Sequence, residues 1–496
     1  MIDACIRRYV PLLAWLLVAG TLVVIPLRIN SFGYLPADDA LRHAAKAVSE
    51  KTWPEVLVMR TEFSLDHNPG WHWLLGWIHR QCGVGPDGLV AISVIFLLLG
   101  ALAVGLPWCH RPEAWAALLL LFCLAAPYLI SRLALGRPFL LTMAALMAIL
   151  FQWRLFDDRW KSPGTLLTTT LLMAASVWVH GAWYLFALPV GACFLAWQWR
   201  AGLAMAGCWL TGTLMGGVLT GHPWPYLMQA VLIPMNAFGH HAVQSLLVTE
   251  FRPFGGDVEL VAILALAAAW RLKQGWSAER FWRDPIFMLI VLAWLAGLPV
   301  QRFWLDWGLP AALVWCAPAI DGVMEKHMAA DSPRRLLLAA LVAWGLFAIT
   351  TSDLDGRWTR NLTTEYLTAD NPEVQGWLPE DQGILYSSDM TVFYETFFKN
   401  PRAPWRYMLG VEPTFMPLED LAILRHIHWN RGAAKAYAPW VEKMRPADRL
   451  VIRGGAGAKP AIPELEWHYA VTGTWVGRLP KPANAVPGPA ANRPRF

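Results

Sequence analysis

Charge is what this sequence is short of. Only 16% of its 496 residues are Asp, Glu, Lys or Arg, against about a quarter in ordinary soluble domains, and that shortage excludes a conventional globular enzyme. The basic residues also lack clustering. They are scattered between apolar stretches instead of gathered on one face, so no nucleic-acid partner is expected. Cysteine is sparse and unpatterned: the seven Cys (5, 82, 109, 123, 193, 208, 316) show no metal-type spacing. None lies beyond residue 351, which excludes a disulfide framework in that region. At the N-terminus, Arg7 and Arg8 precede an apolar run with no small-residue cleavage pattern after it, so an uncleaved first helix is expected in place of a removed signal peptide. No internal repeat is found.

What is present points to a bilayer. Hydrophobic residues make up 56% of the chain, mean hydropathy is +0.37, and 30 Trp and 36 Pro suit a protein whose indoles sit at headgroup level and whose helices tolerate Pro. A spanning helix needs about twenty mostly apolar residues. Eleven stretches meet or approach that length: 9–28, 87–107, 114–131, 138–153, 165–180, 182–199, 202–220, 258–271, 285–300, 306–320 and 336–351, with 258–271 and 306–320 the weakest. With the N-terminus in the cytoplasm, the inner connections collect most of the Arg and Lys. The outer short ones hold few, among them Arg132, Arg137 and Arg302. This asymmetry orients the chain, and an odd number of spans places the C-terminal region outside. The expected class is an α-helical polytopic membrane protein with about eleven transmembrane helices.

Its organisation follows. Residues 1–351 form the membrane domain, with long outer loops at 29–86 and 221–257, and loops of that length are usually functional. Residues 352–478, where charged residues, Pro and short strand-like runs replace the apolar spans, form an extracytoplasmic α/β domain. Within it 383–387 and 449–452 read as strands and 417–427 as a helix. The tail 479–496, rich in Pro, Ala and Asn, is expected to be disordered. In the first outer loop, 37–50 is helical by pattern and should lie along the membrane surface, with Leu41, Ala44, Ala45 and Val48 as its apolar stripe. A second helix, 69–80, should bury Trp71, Leu74, Leu75 and Ile78 at the interface, with His72 and His79 on its other side.

Ionisable groups held at a membrane face are costly, so those on the outer side are functional candidates. They include Asp38, Asp39, Asp66, His67, Arg132, Arg137, His180, His222, His240, His241, Glu250, Arg252, Arg302 and Asp306. Each has a plainer reading beside the functional one. Asp38 and Asp39 also suit the first turn of a helix, with Arg42 and His43 as i,i+4 partners. Helix neighbours lie about 100° apart, so the two carboxylates are expected to point in different directions, with Asp38 nearer the bundle. Asp66-His-Asn-Pro69 suits a turn. Arg132 and Arg137 bracket the hairpin Ser131-Arg-Leu-Ala-Leu-Gly-Arg-Pro138; a guanidinium matches phosphate oxygens, yet it also snorkels to headgroups. Arg302 carries the same ambiguity, with Asp306 as a local ion-pair partner. His180 closes a span, where a hydrogen-bonded structural His is common. His222, His240 and His241 could join the Asp pair around a divalent metal, although nothing in their spacing requires one.

Taken in order, several of these stretches resemble the GT-C superfamily of membrane glycosyltransferases, of the protein O-mannosyltransferase and aminoarabinose-transferase type. The acidic pair Asp38-Asp39 follows the first span. His67-Asn-Pro69 resembles, imperfectly, a His-Pro-Pro motif that opens a helix before the second span. Ala126-Pro127 through Arg137-Pro-Phe139 matches a small-residue-Pro hairpin ending in Arg-Pro-aromatic, and His180 falls near the end of the fifth span. The likeness covers roughly residues 1–200. Two departures, Asp-Asp where Asp-Glu is usual and Asn68 in place of the first Pro, leave the sugar unnamed. The resemblance implies a GT-C fold in a membrane such as the bacterial inner membrane. It implies transfer of a sugar from a polyprenyl-phosphate donor to an acceptor lipid, glycan or protein on the extracytoplasmic side, with inversion and no required cofactor, although a divalent metal is admitted. Asp38 would be the base with Asp39 beside it. Arg137, then Arg302 and Arg132, would contact phosphate, and His67 and His180 would complete the substrate site.

Three rivals share the composition. A transporter or lipid flippase predicts broken helices and mid-membrane polar groups, with inverted repeats in some folds, and none of these patterns is clear here. An O-antigen-type polymerase or ligase would lean on a large later loop, for which 221–257 with Glu250-Phe-Arg252 is the candidate. A membrane-anchored C-terminal domain would not need eleven spans.

Overall fold

The computed structural model describes residues 2–153, 159–238, 253, 255–454 and 458–480. The chain divides into two compact units, one of residues Met1–Glu50 with Leu65–Thr364, the other of Lys51–Ser64 with Glu365–Phe496.

The first unit is helical. Its helices are α1 (Ile2–Ser31), α2 (Asp39–Ser49), α3 (Pro69–Cys82), α4 (Pro86–Ala103), α5 (Pro112–Ala125), α6 (Phe139–Gln152), α7 (Pro163–His180), α8 (Ala187–Leu195), α9 (Trp199–Val218), α10 (Pro223–Phe238), α11 (Val258–Lys273), α12 (Pro285–Gly297), α13 (Gln301–His327) and α14 (Pro333–Thr351). Proline opens α3, α4, α5, α7, α10, α12 and α14, the position where its missing N–H is harmless and its fixed φ already suits the helix. Each stretch expected to span is helical over most of its length, with breaks within 114–131 and within 182–199, where a 3-10 turn at Trp183–Phe186 leads into α8, which ends at Leu195. Among the described residues, five helices are long and apolar enough to cross a membrane: Arg8–Ser31, Pro86–Trp108, Trp199–Val218, Gln301–His327 and Pro333–Thr351. The chain is therefore a multi-pass membrane protein by the length and composition of these helices. Four more apolar helices are shorter; α5 and α6, at 14 residues each, reach only about 21 Å at 1.5 Å per residue, short of a core about 30 Å thick.

Two boundaries move for local reasons. The stretch 114–131 is not one helix: α5 stops at Ala125, Pro127 follows, and Tyr128–Leu133 is a separate short helix. The stretch 306–320, weak by length in the sequence, belongs to a helix of 27 residues. It starts earlier, at Gln301, because the charged Arg302 and Asp306 satisfy one another within it, and it widens to a π turn at Trp304–Gly308.

Packing of α7 on α9 depends on a missing side chain. A Cβ at Gly212 would stand 2.8 Å from the Thr170 carbonyl oxygen, and one at Gly216 would stand 2.6 Å from that of Ala174, so this Gly-x-x-x-Gly pair lets the two backbones touch. Helix α1 packs on α14, α14 on α5, and α2 on both α3 and α4. The last contact corrects the expectation of a surface helix. In α2 the stripe Leu41, Ala44, Ala45 and Val48 is buried, but so are Arg42 and His43. On α3, Trp71 and Leu75 are buried as expected, yet His72 is buried with them and Trp73 and Trp77 are the exposed face.

The second unit is a five-stranded mixed sheet, β1 (Ile384–Ser387), β2 (Arg406–Tyr407), β3 (Arg449–Arg453), β4 (Glu466–Val471) and β5 (Thr474–Arg478), in the order β2-β1-β3-β5-β4. β1 runs parallel to β2 and β3, while β5 is antiparallel to β3 and β4. Helix α15 (Met390–Lys399) sets Phe393 and Phe397 against Tyr407, and α16 (Leu418–Trp429) sets Leu424 and Ile427 into a core with Trp440 and Leu450. The fully buried Asp448 accepts from the backbone N–H of Ile384 and of Arg445, at 2.8 and 2.7 Å, which fixes the start of β1 beside β3. Residues 51–64, inside the expected first outer loop, belong to this unit. Leu57 bridges Tyr407, Val58 N donates to the Tyr407 carbonyl at 2.9 Å and Arg60 N to that of Phe415 at 2.9 Å, so this segment continues the sheet beyond β2 and protects its edge. The short stretch 352–364 goes with the helical unit. Of the expected tail, 481–496 lies outside the described residues.

Candidate functional site

The acidic pair sits where α2 begins. Asp38 is the N-cap, with φ −141° and ψ −122°, and its Oδ1 accepts from the backbone N–H of Asp39 at 2.5 Å. Because Asp38 precedes the helix, the 100° rule does not separate the two side chains, and both turn toward one guanidinium. Arg137 Nη2 donates to Asp38 Oδ2 at 2.6 Å, and its Nε lies 3.1 Å from Asp39 Oδ2. The expected i,i+4 partners are replaced: Arg42 Nε donates to Asp39 Oδ1 at 2.7 Å, three residues on, while His43 turns to His72.

The hairpin that carries Arg137 reaches α2 through Gly136. That residue has φ +65°, and a Cβ there would lie 3.0 Å from the Ala40 Cβ and 3.2 Å from a Val94 methyl. Only glycine adopts this conformation at this distance without strain. Arg132, at the other end of the hairpin, goes elsewhere. It pairs with the buried Asp306, which also accepts from Arg302 Nε at 2.9 Å. The Arg302 guanidinium lies 5.4 Å from the centre of the Phe139 ring, and His180 meets the same ring edge-on at 4.7 Å.

These environments separate the two carboxylates. Burial pushes Asp38 above the usual carboxylate range, more strongly than Arg137 pulls it down. Burial acts in the same direction on Asp39, but Arg42 and Arg137, joined by Arg302, outweigh it and hold that group well below the range. Among the described residues, the cations Arg42, Lys46, Arg132, Arg137 and Arg302 stand among the carboxylates Asp38, Asp39, Asp66 and Asp306.

Asp66 and His67 are on a turn held from two sides. Asp66 Oδ1 accepts from Asn68 N at 3.0 Å, Asn68 Nδ2 donates to the Val179 carbonyl at 3.1 Å, and Gln229 of α10 brackets Leu65 with bonds to both its N–H and its carbonyl. Burial lowers the His67 ring to about 4, with Asp66 opposing and Arg42 and His72 adding. Asp66 Oδ2 lies 2.6 Å from His72 Nδ1, and His72 Nε2 lies 2.7 Å from His43 Nδ1. Neither His72 nor His43 carries a sequence signal: both sit within helical runs, and only the packing of α2 on α3 joins them.

The structure thus brings Asp38, Asp39 and Arg137 into direct contact, and Arg132 and Arg302 together on Asp306. His180 is joined to Arg302 through Phe139. His222 is exposed, and His240, His241, Glu250 and Arg252 lie outside the described residues. Among the described residues, no three His, Cys, Asp or Glu side chains are arranged to hold a metal ion, and the contacts of Asp38 and Asp39 with Arg42 and Arg137 are those of carboxylates neutralised by guanidinium. No family model matches the chain, and no curated protein matches it.

Proposed function

We propose that the chain is a membrane glycosyltransferase of GT-C type, which moves a sugar from a polyprenyl-phosphate donor to an acceptor lipid, glycan or protein. In this reading all eleven apolar stretches lie in or beside the bilayer. The N-terminus is cytoplasmic, the cluster around Asp38 faces the extracytoplasmic side, and the sheet-bearing unit is extracytoplasmic, periplasmic in a bacterial inner membrane. The observation that carries the reading is the split pair: two adjacent carboxylates around one guanidinium, one pushed up and one held down. Such a split is how a site separates a proton acceptor from a permanent charge.

Asp38, the carboxylate with the greater proton affinity, takes the acceptor's proton as its oxygen attacks the anomeric carbon. The bond from that carbon to the phosphate oxygen breaks, and the leaving polyprenyl phosphate keeps the electron pair. Arg137, then Arg302 and Arg132, supply positive charge that stabilises it. Asp39 stays ionised and fixes Arg42 and Arg137, while His67 and His180 line the sugar. No step is routed through a metal.

Transfer from a labelled polyprenyl-phosphate sugar by purified wild type, Asp38→Asn and Asp39→Asn tests this. A loss of about 100- to 10,000-fold is expected for Asp38→Asn, the usual range for a general base, with a smaller loss for Asp39→Asn. Unchanged turnover in both variants removes the carboxylates from the mechanism. Arg137→Ala should weaken donor binding more than acceptor binding, and the reverse would relocate the phosphate site.

A further inference from the structure

The contacts of Asp66, His72 and His43 have one consistent proton arrangement. Burial lifts the Asp66 carboxyl, but hydrogen bonds from His72 and from the Asn68 backbone and the charge of Lys46 oppose it and favour the ionised form, so it accepts and His72 Nδ1 donates. Burial holds the His72 ring below its ordinary 6.5, so at pH 7 it is neutral, and its Nε2 bears a lone pair and accepts. His43 Nδ1 must then donate, which leaves His43 Nε2 as a bare acceptor nitrogen. That atom is fully buried in a residue with 0% exposure and has no partner among the described residues. His180 Nδ1 is likewise buried without one, and His180, Arg42 and Arg137 are among the groups whose charge bears on His43. A buried acceptor left unmet costs about 1–3 kcal/mol. A chain of three groups aligned to create one therefore calls for a donor from outside the protein.

We infer that Asp66, His72 and His43 form an oriented hydrogen-bond chain whose end, His43 Nε2, accepts a hydrogen bond from a hydroxyl group of the ligand that the neighbouring arginines hold. A phosphodiester offers no proton and is served by Arg137 and Arg302 in this reading. A bare imidazole nitrogen suits the opposite chemistry, a neutral polyol, so the site reads charge at one end of its ligand and hydroxyl at the other. His72 and Asp66 are positioning residues. They fix the tautomer, as the third group of a catalytic triad fixes its histidine. That the hydroxyl belongs to a sugar rests on the glycosyltransferase reading, whereas the chain itself does not.

Two measurements on the full-length protein in detergent separate these. In ¹⁵N-histidine NMR, His43 should show a protonated Nδ1 and a bare Nε2 at pH 7, and Asp66→Asn should disturb that state. A proton on Nε2 in the wild type overturns the inference. Binding is then compared for a short-chain polyprenyl phosphate and for the same lipid carrying one hexose, mannosyl and glucosyl tested in turn. Wild type should prefer a sugar lipid. His43→Phe should lose about 10- to 100-fold of affinity for it, the scale of a buried hydrogen bond left unmade, while binding the bare phosphate as before. His43→Gln, whose amide oxygen can accept, should keep part of the preference. Equal losses for both lipids, or none, overturn the hydroxyl site. A wild type that binds the sugar lipid with the expected His43 dependence but transfers nothing overturns the transferase reading and leaves this one standing.

Discussion

Two buried ion networks in the helical unit differ in how completely they are satisfied. Arg335 donates through Nε and Nη2 to the two oxygens of the fully buried Glu113, at 2.5 and 3.2 Å, and through Nη1 to the Ala330 carbonyl at 3.0 Å. Each of its three nitrogens is used, in the fork geometry that suits a guanidinium best. The cluster around Asp38 is organised otherwise. One guanidinium is divided between two carboxylates, one carboxylate between two guanidiniums, and imidazole nitrogens of His43 and His180 are left unmet. The Arg335–Glu113 pair is closed and holds helices together, although Arg111 Nη1, 3.9 Å from Glu113, is buried without a hydrogen-bond partner among the described residues. The cluster around Asp38, with imidazole acceptors to spare, has capacity for a ligand, and that difference is what favours it as the candidate site.

That contrast can be broken by measurement. Glu113→Ala removes one partner of a closed buried pair and should cost about 3–5 kcal/mol of stability, read as a large fall in melting temperature in detergent. A small effect would mean that the clamp is not structural. Asp306→Asn, in the open cluster, should cost less, about 2–3 kcal/mol, because the amide oxygen still accepts from a guanidinium and Arg302 keeps part of its surface in contact with solvent. A loss equal to that of Glu113→Ala would erase the distinction. Acid should act next. Burial holds the His43, His67 and His72 rings below the usual 6.5, His67 at about 4, so the unfolded chain takes up protons that the folded one refuses. Stability should therefore fall as pH drops through 6.5 toward 4, by about 2 kcal/mol already at pH 6 if all three rings contribute. A melting temperature that is flat over that window would show the rings charged in the fold. Gly136→Ala, at φ +65°, should cost about 1–2 kcal/mol and should weaken binding of a polyprenyl phosphate by drawing Arg137 away from Asp38; affinity equal to wild type would free Arg137 from its hairpin. Smallest of all, Trp73→Ala and Trp77→Ala on the exposed face of α3 should stay within about 0.5 kcal/mol. A larger shift would show that the His72 helix depends on its outward face.

Much of the fold was legible. Apolar runs placed every helix that can span, and Gly383 to Ser387, Arg449 to Ile452 and Pro417 to Ile427 came out as β1, β3 and most of α16. Failures have physical causes. The helix α13 was cut short because Arg302 and Asp306 look like span-breaking charges until they are seen to neutralise each other. The edge segment 51–64 shows no strong strand pattern, since its bonds go to Tyr407 and Phe415, far along the chain. Of the candidate site, the acidic pair and the arginines were readable as residue types in connections expected to share one side of the membrane. Their partnerships were not: helical spacing favoured Asp38 with Arg42, whereas the N-cap dihedrals of Asp38 hand it to Arg137.

Composition and local order determined that this chain has helices long enough to cross a membrane, where they begin, and which ionisable groups fall in the loops between them, because apolar length and proline placement are properties of neighbouring residues. Only the tertiary structure decided which carboxylate is pushed up and which held down, that Gly136 lets one hairpin send its two arginines to different acids, and that Asp66, His72 and His43 form a chain ending in an unmet nitrogen. Those outcomes depend on burial and on charges brought together from separate helices, and no local pattern carries that information.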